Sequence, residues 1–248
     1  MADAVRRPGW GTIAAILIAL IILLSLGTWQ VFRLERKEAL LAEINTRSTA
    51  TPIALPDVEA REKSGADIDY VRMTATGHFE YAHEQYFFAT DDGDVGYHVY
   101  TPLILPDGRA LFVNRGFVPE ALKDPAKRQP GQVAGEVTIN GLARTKLTEK
   151  PSWVVPDNEA YKQLYFWKDL DEMAAQAAVP SGKLVPFFLD ADATPNPGGR
   201  PKGGVTQIDL PNNHLSYAVT WYGLAVVLLV VSILAFRRKR RETSQSAL

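Results

Sequence analysis

The stretch Leu215 to Phe236, LSYAVTWYGLAVVLLVVSILAF, runs for 22 residues without a charge and decides how the rest of the chain is read. As an α-helix it rises roughly 33 Å, enough to cross a hydrocarbon core of about 30 Å. Arg237, Arg238, Lys239, Arg240 and Arg241 follow it. Near the other end, Gly11 to Thr28 is also uncharged, and Trp29, Gln30, Val31 and Phe32 prolong that run up to Arg33. Arg6 and Arg7 precede it. The expected fold is a membrane protein with two transmembrane α-helices, residues 11–32 and 214–236, flanking a β-rich α+β domain over 33–213. Residues 1–10 and 237–248 form the two ends.

Short basic segments beside a span resist translocation, whereas a long loop translocates largely regardless of its charge. Both termini are therefore expected in the cytoplasm and the domain in the periplasm. The basic tail reads as a topology anchor at membrane lipid and not as a nucleic-acid site. A cleaved secretion signal competes for the first run, since Thr12 to Leu24 has the length of its apolar region and Ser25 and Gly27 are small. The apolar run through Phe32 favours retention. With no long Arg- and Ser-rich presequence, the expected location is a bacterial inner membrane.

The bulk composition, 46% hydrophobic and 22% charged with a net charge of −1, hides this segregation. The absence of cysteine excludes disulfides, thiolate metal sites and a Cys-x-x-Cys-His haem attachment. After the first span, good helix formers continue from Leu34 to Arg47, until Pro52 and Pro56 break the pattern. Short aromatic and β-branched runs then predict strands at Val71 to Tyr81, Gln85 to Thr90, Gly96 to Leu105, Ala110 to Pro119, Glu136 to Thr145 and Val185 to Asp190. Asp107-Gly108 predicts a hairpin turn. Asp169 and Glu172 predict a capped helix that Pro180 ends. Three prolines and four glycines from Pro195 to Gly204 read as a flexible approach to the second span.

No nucleophile with its base, metal-ligand cluster or phosphate loop is legible, so no enzyme is expected. His78, His83 and His98 lack metal-site spacing, and Asp91, Asp92 and Asp94 lack the remaining ligands of a calcium loop. The informative residues lie at the outward ends of the spans. On a helix, His214, Tyr217, Ala218, Trp221 and Tyr222 share one face. The end of the first span supplies Trp29, Gln30, Arg33, Arg36 and Lys37 at similar depth. An interfacial aromatic belt with snorkelling basic residues accounts for the set. A haem-handling site does too, with His214 as axial ligand to iron and Arg33 or Lys37 pairing with propionates.

These residues resemble the surfeit locus protein 1 family of cytochrome oxidase assembly factors. Gly27-Thr28-Trp29-Gln30-Val31-Phe32-Arg33 is similar to the family's Gly-x-Trp-Gln-x-x-Arg signature. Tyr97 to Leu105, leading into Asp107-Gly108, resembles its central strand pair. Val113-Asn114-Arg115-Gly116-Phe117-Val118-Pro119 resembles its Val-Asn-Arg-Gly-Trp-Val-Pro segment, with Phe117 in place of Trp. Asn212-Asn213-His214-Leu215-Ser216-Tyr217-Ala218 with Thr220-Trp221-Tyr222-Gly223 is the most specific match. The resemblance implies a chaperone for haem-copper oxidase biogenesis that binds haem a, transiently and without a covalent bond, and assists its insertion into oxidase subunit I. It implies oxidase subunit I and other biogenesis factors, including haem a synthase, as partners. It makes His214 the haem ligand, with Tyr217, Trp221, Trp29, Gln30 and Arg33 around it. The alternative is a structural scaffold that stabilises an oxidase intermediate without touching haem. Asn114-Arg115-Gly116 reads either as a tight structural turn or as a docking surface.

Overall fold

A computed structural model describes residues 9–208 and 211–245. Arg6 and Arg7 lie outside the described residues, as do the side chains from Lys239 on. The chain divides into two units: Met1–Glu43 with Asp209–Leu248, and Ile44–Ile208. Helix α1, Trp10–Thr49, begins the first and ends in the second.

In the second unit, β1 (Ile53–Ala54) leads into α2 (Leu55–Lys63). Pro56 sits in the first turn of that helix, where a missing N–H costs nothing. Six longer strands follow the expected runs closely: β2 (Arg72–Phe79), β3 (Gln85–Asp91), β4 (Asp94–Ile104), β5 (Ala110–Pro119), β6 (Val137–Thr145) and, after the two-residue β7 (Leu164–Tyr165), β8 (Leu184–Ala191). Between β7 and β8 lies α3 (Leu170–Gln176), capped by the Asp169 carboxylate, which accepts from the Glu172 amide at 2.9 Å. The Glu172 side chain does not complete a capping box; it accepts from Asn158 instead.

The strand order is β1-β2-β6-β8-β5-β4-β3-β7, and a further β2–β4 pairing closes β2, β6, β8, β5 and β4 into a barrel. Closure rests on His78↔Ile104 and Phe79↔Leu103. Within the barrel, β5 and β8 run parallel and every other pairing is antiparallel. Taking the five strands in chain order, they meet as first-second-third-fifth-fourth-first, the connectivity of an OB-type barrel. Met73, Ala75, Leu103, Leu111, Val113, Ala143, Phe187 and Leu189 form one core, which α2 joins through Leu55 and Val58. β5 and β8 are buried on both faces, because Phe112 and Phe188 pack into a second cluster with Tyr100, Tyr165 and the α3 residues Leu170 and Met173.

The segment Pro195 to Gly204 is not a loose tether. Phe117 and Lys202 exchange both backbone hydrogen bonds at 2.9 Å, and Lys202 Nζ donates to Asp91 at 2.7 Å. The segment lies so close to β5 that a Cβ on Gly116, whose φ is +114°, would strike the Lys202 carbonyl. Within the segment, Gly203 and Gly204 lie just as close to Asp192 and Ala193, so glycine there serves close packing.

The last helix, α4 (His214–Gln245), belongs to the first unit with the start of α1. Both are long and apolar enough to cross a membrane, and their apolar windows are only 6% buried. Along α1 the less exposed positions include Ile13, Ile16, Leu20, Leu23, Gly27, Gln30, Leu34 and Lys37, alternating by three and four. Along α4 Ala218, Ala225 and Ser232 repeat at seven. These positions form a seam between the two helices, with small residues such as Gly27, Ala218 and Ala225 on it. Ser232 and Thr220 satisfy their hydroxyls on carbonyls one turn back, Leu228 and Ser216, so neither needs a partner in an apolar surround.

Candidate functional site

The seam becomes polar at one end. Two residues before α4 begins, the Asn212 side-chain oxygen accepts from the His214 amide at 3.3 Å. One turn of seam away from Gly27, Gln30 is 9% exposed, and its Oε1 lies 2.9 Å from His214 Nδ1. Deeper along the seam, Thr28 Oγ1 and the Tyr222 hydroxyl lie 3.0 Å apart. The Tyr222 ring covers Gly27, where a Cβ would collide with it. The glycine therefore admits the ring, and the ring's hydroxyl fixes the helices about two turns along α4 from the histidine.

His214 also faces an open cavity of about 390 Å³, lined otherwise by Trp29, Arg33, Arg36, Lys37 and Leu40. The Arg33 guanidinium sits over the Trp29 ring at 4.8 Å. No acidic side chain pairs with Arg33, Arg36 or Lys37 among the described residues. Three cations, one indole face and one imidazole thus surround an accessible space within the range of small-molecule sites, about 300–1,000 Å³.

Of the six residues singled out by sequence, the structure brings four together: His214, Trp29 and Arg33 at the cavity, and Gln30 behind the histidine. Tyr217 is 55% exposed and does not line the cavity. Trp221 is half-buried farther along α4 and does not line it either. The physical reason is the narrow seam, which takes His214, Ala218 and Ala225 and leaves Tyr217 on the flank. Leu40 and the Thr28–Tyr222 contact had no local signal beyond a glycine one residue before a threonine.

The barrel holds a second polar cluster, which is sealed. Glu84, Arg115 and Arg128 are 2%, 2% and 4% exposed. Glu84 accepts from both guanidiniums, from Thr101 and from the Tyr86 hydroxyl. Arg115 also donates to the Gly131 carbonyl and lies over the rings of Phe79 and Tyr81, at 4.8 and 5.0 Å. Burial pulls the Arg115 guanidinium below its ordinary value, while Tyr81 and Glu84 oppose that shift. Asn114 accepts from the Gly116 amide and donates to Asp190, each at 3.1 Å. Asn114-Arg115-Gly116 is therefore an internal brace of the barrel.

The remaining expectations fall on ordinary structure. His78 lies on β2 and His83 on a single 3₁₀ turn, while His98 stacks on Phe87 with ring centres 6.1 Å apart. Among the described residues no group of three or more His, Cys, Asp or Glu could hold a metal ion. Asp92 and Gly93 both have positive φ in the β3–β4 turn, and Asp91 and Asp92 pair with Lys202.

A model of the SURF1 family matches residues 17–226. Surfeit locus protein 1 of Rattus norvegicus is 38% identical, over 88% of this chain and 72% of its own. The Homo sapiens protein of that name is 34% identical, over 88% and 74%. A SURF1-like protein of Monosiga brevicollis is 36% identical, over 95% and 91%. The matched region takes in both the barrel and the seam with His214.

Proposed function

The chain belongs to the SURF1 family, and from that premise we propose that it is a non-enzymatic assembly factor for a haem-copper terminal oxidase, taking up haem a at His214 and passing it to oxidase subunit I. The observation that carries this reading is the imidazole at the cavity wall. Its Nδ1 is engaged by Gln30, and its Nε2 has no hydrogen-bond partner among the described residues. That leaves one ring nitrogen for an axial bond to iron. Trp29 offers a face to a flat macrocycle, and Arg33, Arg36 and Lys37 offer charge to its propionates. The haem is cargo here, and its redox and oxygen chemistry is used only once it sits in the oxidase. A site with a single imidazole and no thiolate suits release.

The reading includes the placement: two spans in a bacterial inner membrane, both ends cytoplasmic, the barrel periplasmic where it meets subunit I, haem a synthase and other biogenesis factors. Because the chain has no cysteine, a single Ser152→Cys variant reports the barrel's side. Labelling of intact cells by an impermeant maleimide is expected, and labelling only after lysis would overturn the placement.

For the site, the protein is purified from a strain that makes haem a and compared with His214→Ala. Wild type is expected to carry haem and the variant to carry at least tenfold less. Equal haem content and an equal spectrum would exclude His214 as the ligand. The rival, a scaffold that stabilises an oxidase intermediate without haem, predicts a wild-type protein free of haem and an oxidase lost on deletion all the same.

A further inference from the structure

We infer that Gln30 is a positioning residue that holds His214 in the Nδ1–H tautomer, so that Nε2 presents its lone pair to the cavity. Gln30 is not among the residues that line the cavity. It is buried on the seam of α1, and its Oε1 lies 2.9 Å from His214 Nδ1. An amide oxygen only accepts, so the imidazole nitrogen facing it must carry the proton. In neutral imidazole one nitrogen donates and the other accepts, which leaves Nε2 without a proton. The Thr28–Tyr222 contact and the closeness of Gly27 to the Tyr222 ring fix α1 against α4 near this pair. The glutamine is thus placed by the helix packing itself.

A neutral acceptor behind a ligating imidazole raises its basicity less than a carboxylate does. Glutamine at this position therefore orients the histidine while keeping the iron bond weaker than an acid would make it, which suits a carrier. Aspartate or glutamate here would build a tighter, more permanent site. This step rests on the haem reading, whereas the tautomer does not.

The test uses the full chain in detergent micelles, with ¹⁵N-labelled histidine. His214 is assigned by its loss in His214→Ala, and its tautomer is read from ¹⁵N shifts in alkaline buffer without haem. Wild type is expected to show the Nδ1–H form. Gln30→Leu is expected to convert it to the Nε2–H form and to weaken binding of added ferric protoporphyrin by roughly tenfold. Gln30→Glu should restore the Nδ1–H form, bind at least as tightly as wild type and lower the reduction potential of the bound haem. A wild-type Nε2–H tautomer overturns the inference even if both variants misfold. So does a Leu variant with unchanged tautomer and affinity. If His214→Ala binds the porphyrin as well as wild type, the haem reading fails while the tautomer result stands.

Discussion

The molecule contains two groups of arginines with opposite surroundings. In the barrel, Arg115 and Arg128 converge on one carboxylate, Glu84, and all three are almost fully buried. At the helix seam, Arg33 and Arg36 stand with Lys37 around an open cavity, with no acid paired to them among the described residues. Residue type is the same, but the consequence differs. Buried charge must be paired within the protein, so the first group is engaged in holding β3, β5 and the 125–131 turns together. The second group keeps its charge available for something that arrives. Two histidines repeat the contrast: His98 is packed between Phe87 and Phe117, whereas His214 faces the cavity.

The sealed cluster gives the largest effect. Glu84→Gln removes the charge that two buried guanidiniums share and should cost about 3–5 kcal/mol, the usual cost of breaking a buried pair. Urea unfolding of the solubilised protein, followed by the β-sheet dichroism, measures it. Adding Arg128→Met to that variant should return part of the loss, since the excess positive charge falls. A cost under about 1 kcal/mol would mean that the cluster is hydrated after all and that the contrast with the open site is false.

His98 comes next. Burial, helped by nearby Lys168 and opposed by Asp190 and Asp91, lowers its pKa from 6.5 to about 4. Between those values the unfolded chain binds a proton that the folded barrel refuses, so stability rises with pH across this window. It is fully present above about pH 6.5 and is lost as the pH falls towards 4, by about 3 kcal/mol in all. His98→Phe should flatten this part of the curve while leaving its neutral-pH stability within about 1.5 kcal/mol. A variant curve parallel to wild type would assign the slope to carboxylates.

How far the sequence carries depends on the range of the interactions involved. β5 was legible residue for residue, Ala110 to Pro119, because an apolar, β-branched run between Asp107-Gly108 and a proline leaves little choice. The two long apolar helices were legible from charge alone. Barrel closure was not, since it depends on two residue pairs between β2 and β4 with no local signature. Pro56 read as a breaker and in fact lies in the first turn of α2. Gly203 and Gly204 read as slack, because a sequence does not show that Asp192 and Ala193 press on them. At the site, spacing found His214 and its companions on α1, but placed Tyr217 with them. Helical periodicity alone cannot separate a narrow face from its flank. The Glu84 cluster joins residues up to 44 apart, a separation at which pattern gives nothing.

The open group yields the smallest effect and the sharpest one for the comparison. Arg33→Ala with Lys37→Ala removes two of the three cations at the cavity but breaks no ion pair among the described residues. Stability should therefore stay within about 0.5 kcal/mol of wild type, as for other surface changes. Porphyrin binding should fall by about tenfold, or about 1.4 kcal/mol, and do so at low salt more than at high salt, because exposed charges are screened. Arg33→Lys should recover little of that loss, since a lysine neither forks onto a carboxylate nor stacks flat on Trp29. Titration of ferric protoporphyrin against its dimethyl ester separates the terms: the ester lacks the propionate charge and should bind wild type and the double variant alike. If the ester shows the same tenfold difference, the two cations act on the shape of the cavity and not on its charge. The seam arginines would then resemble those of the barrel more closely than their exposure implies.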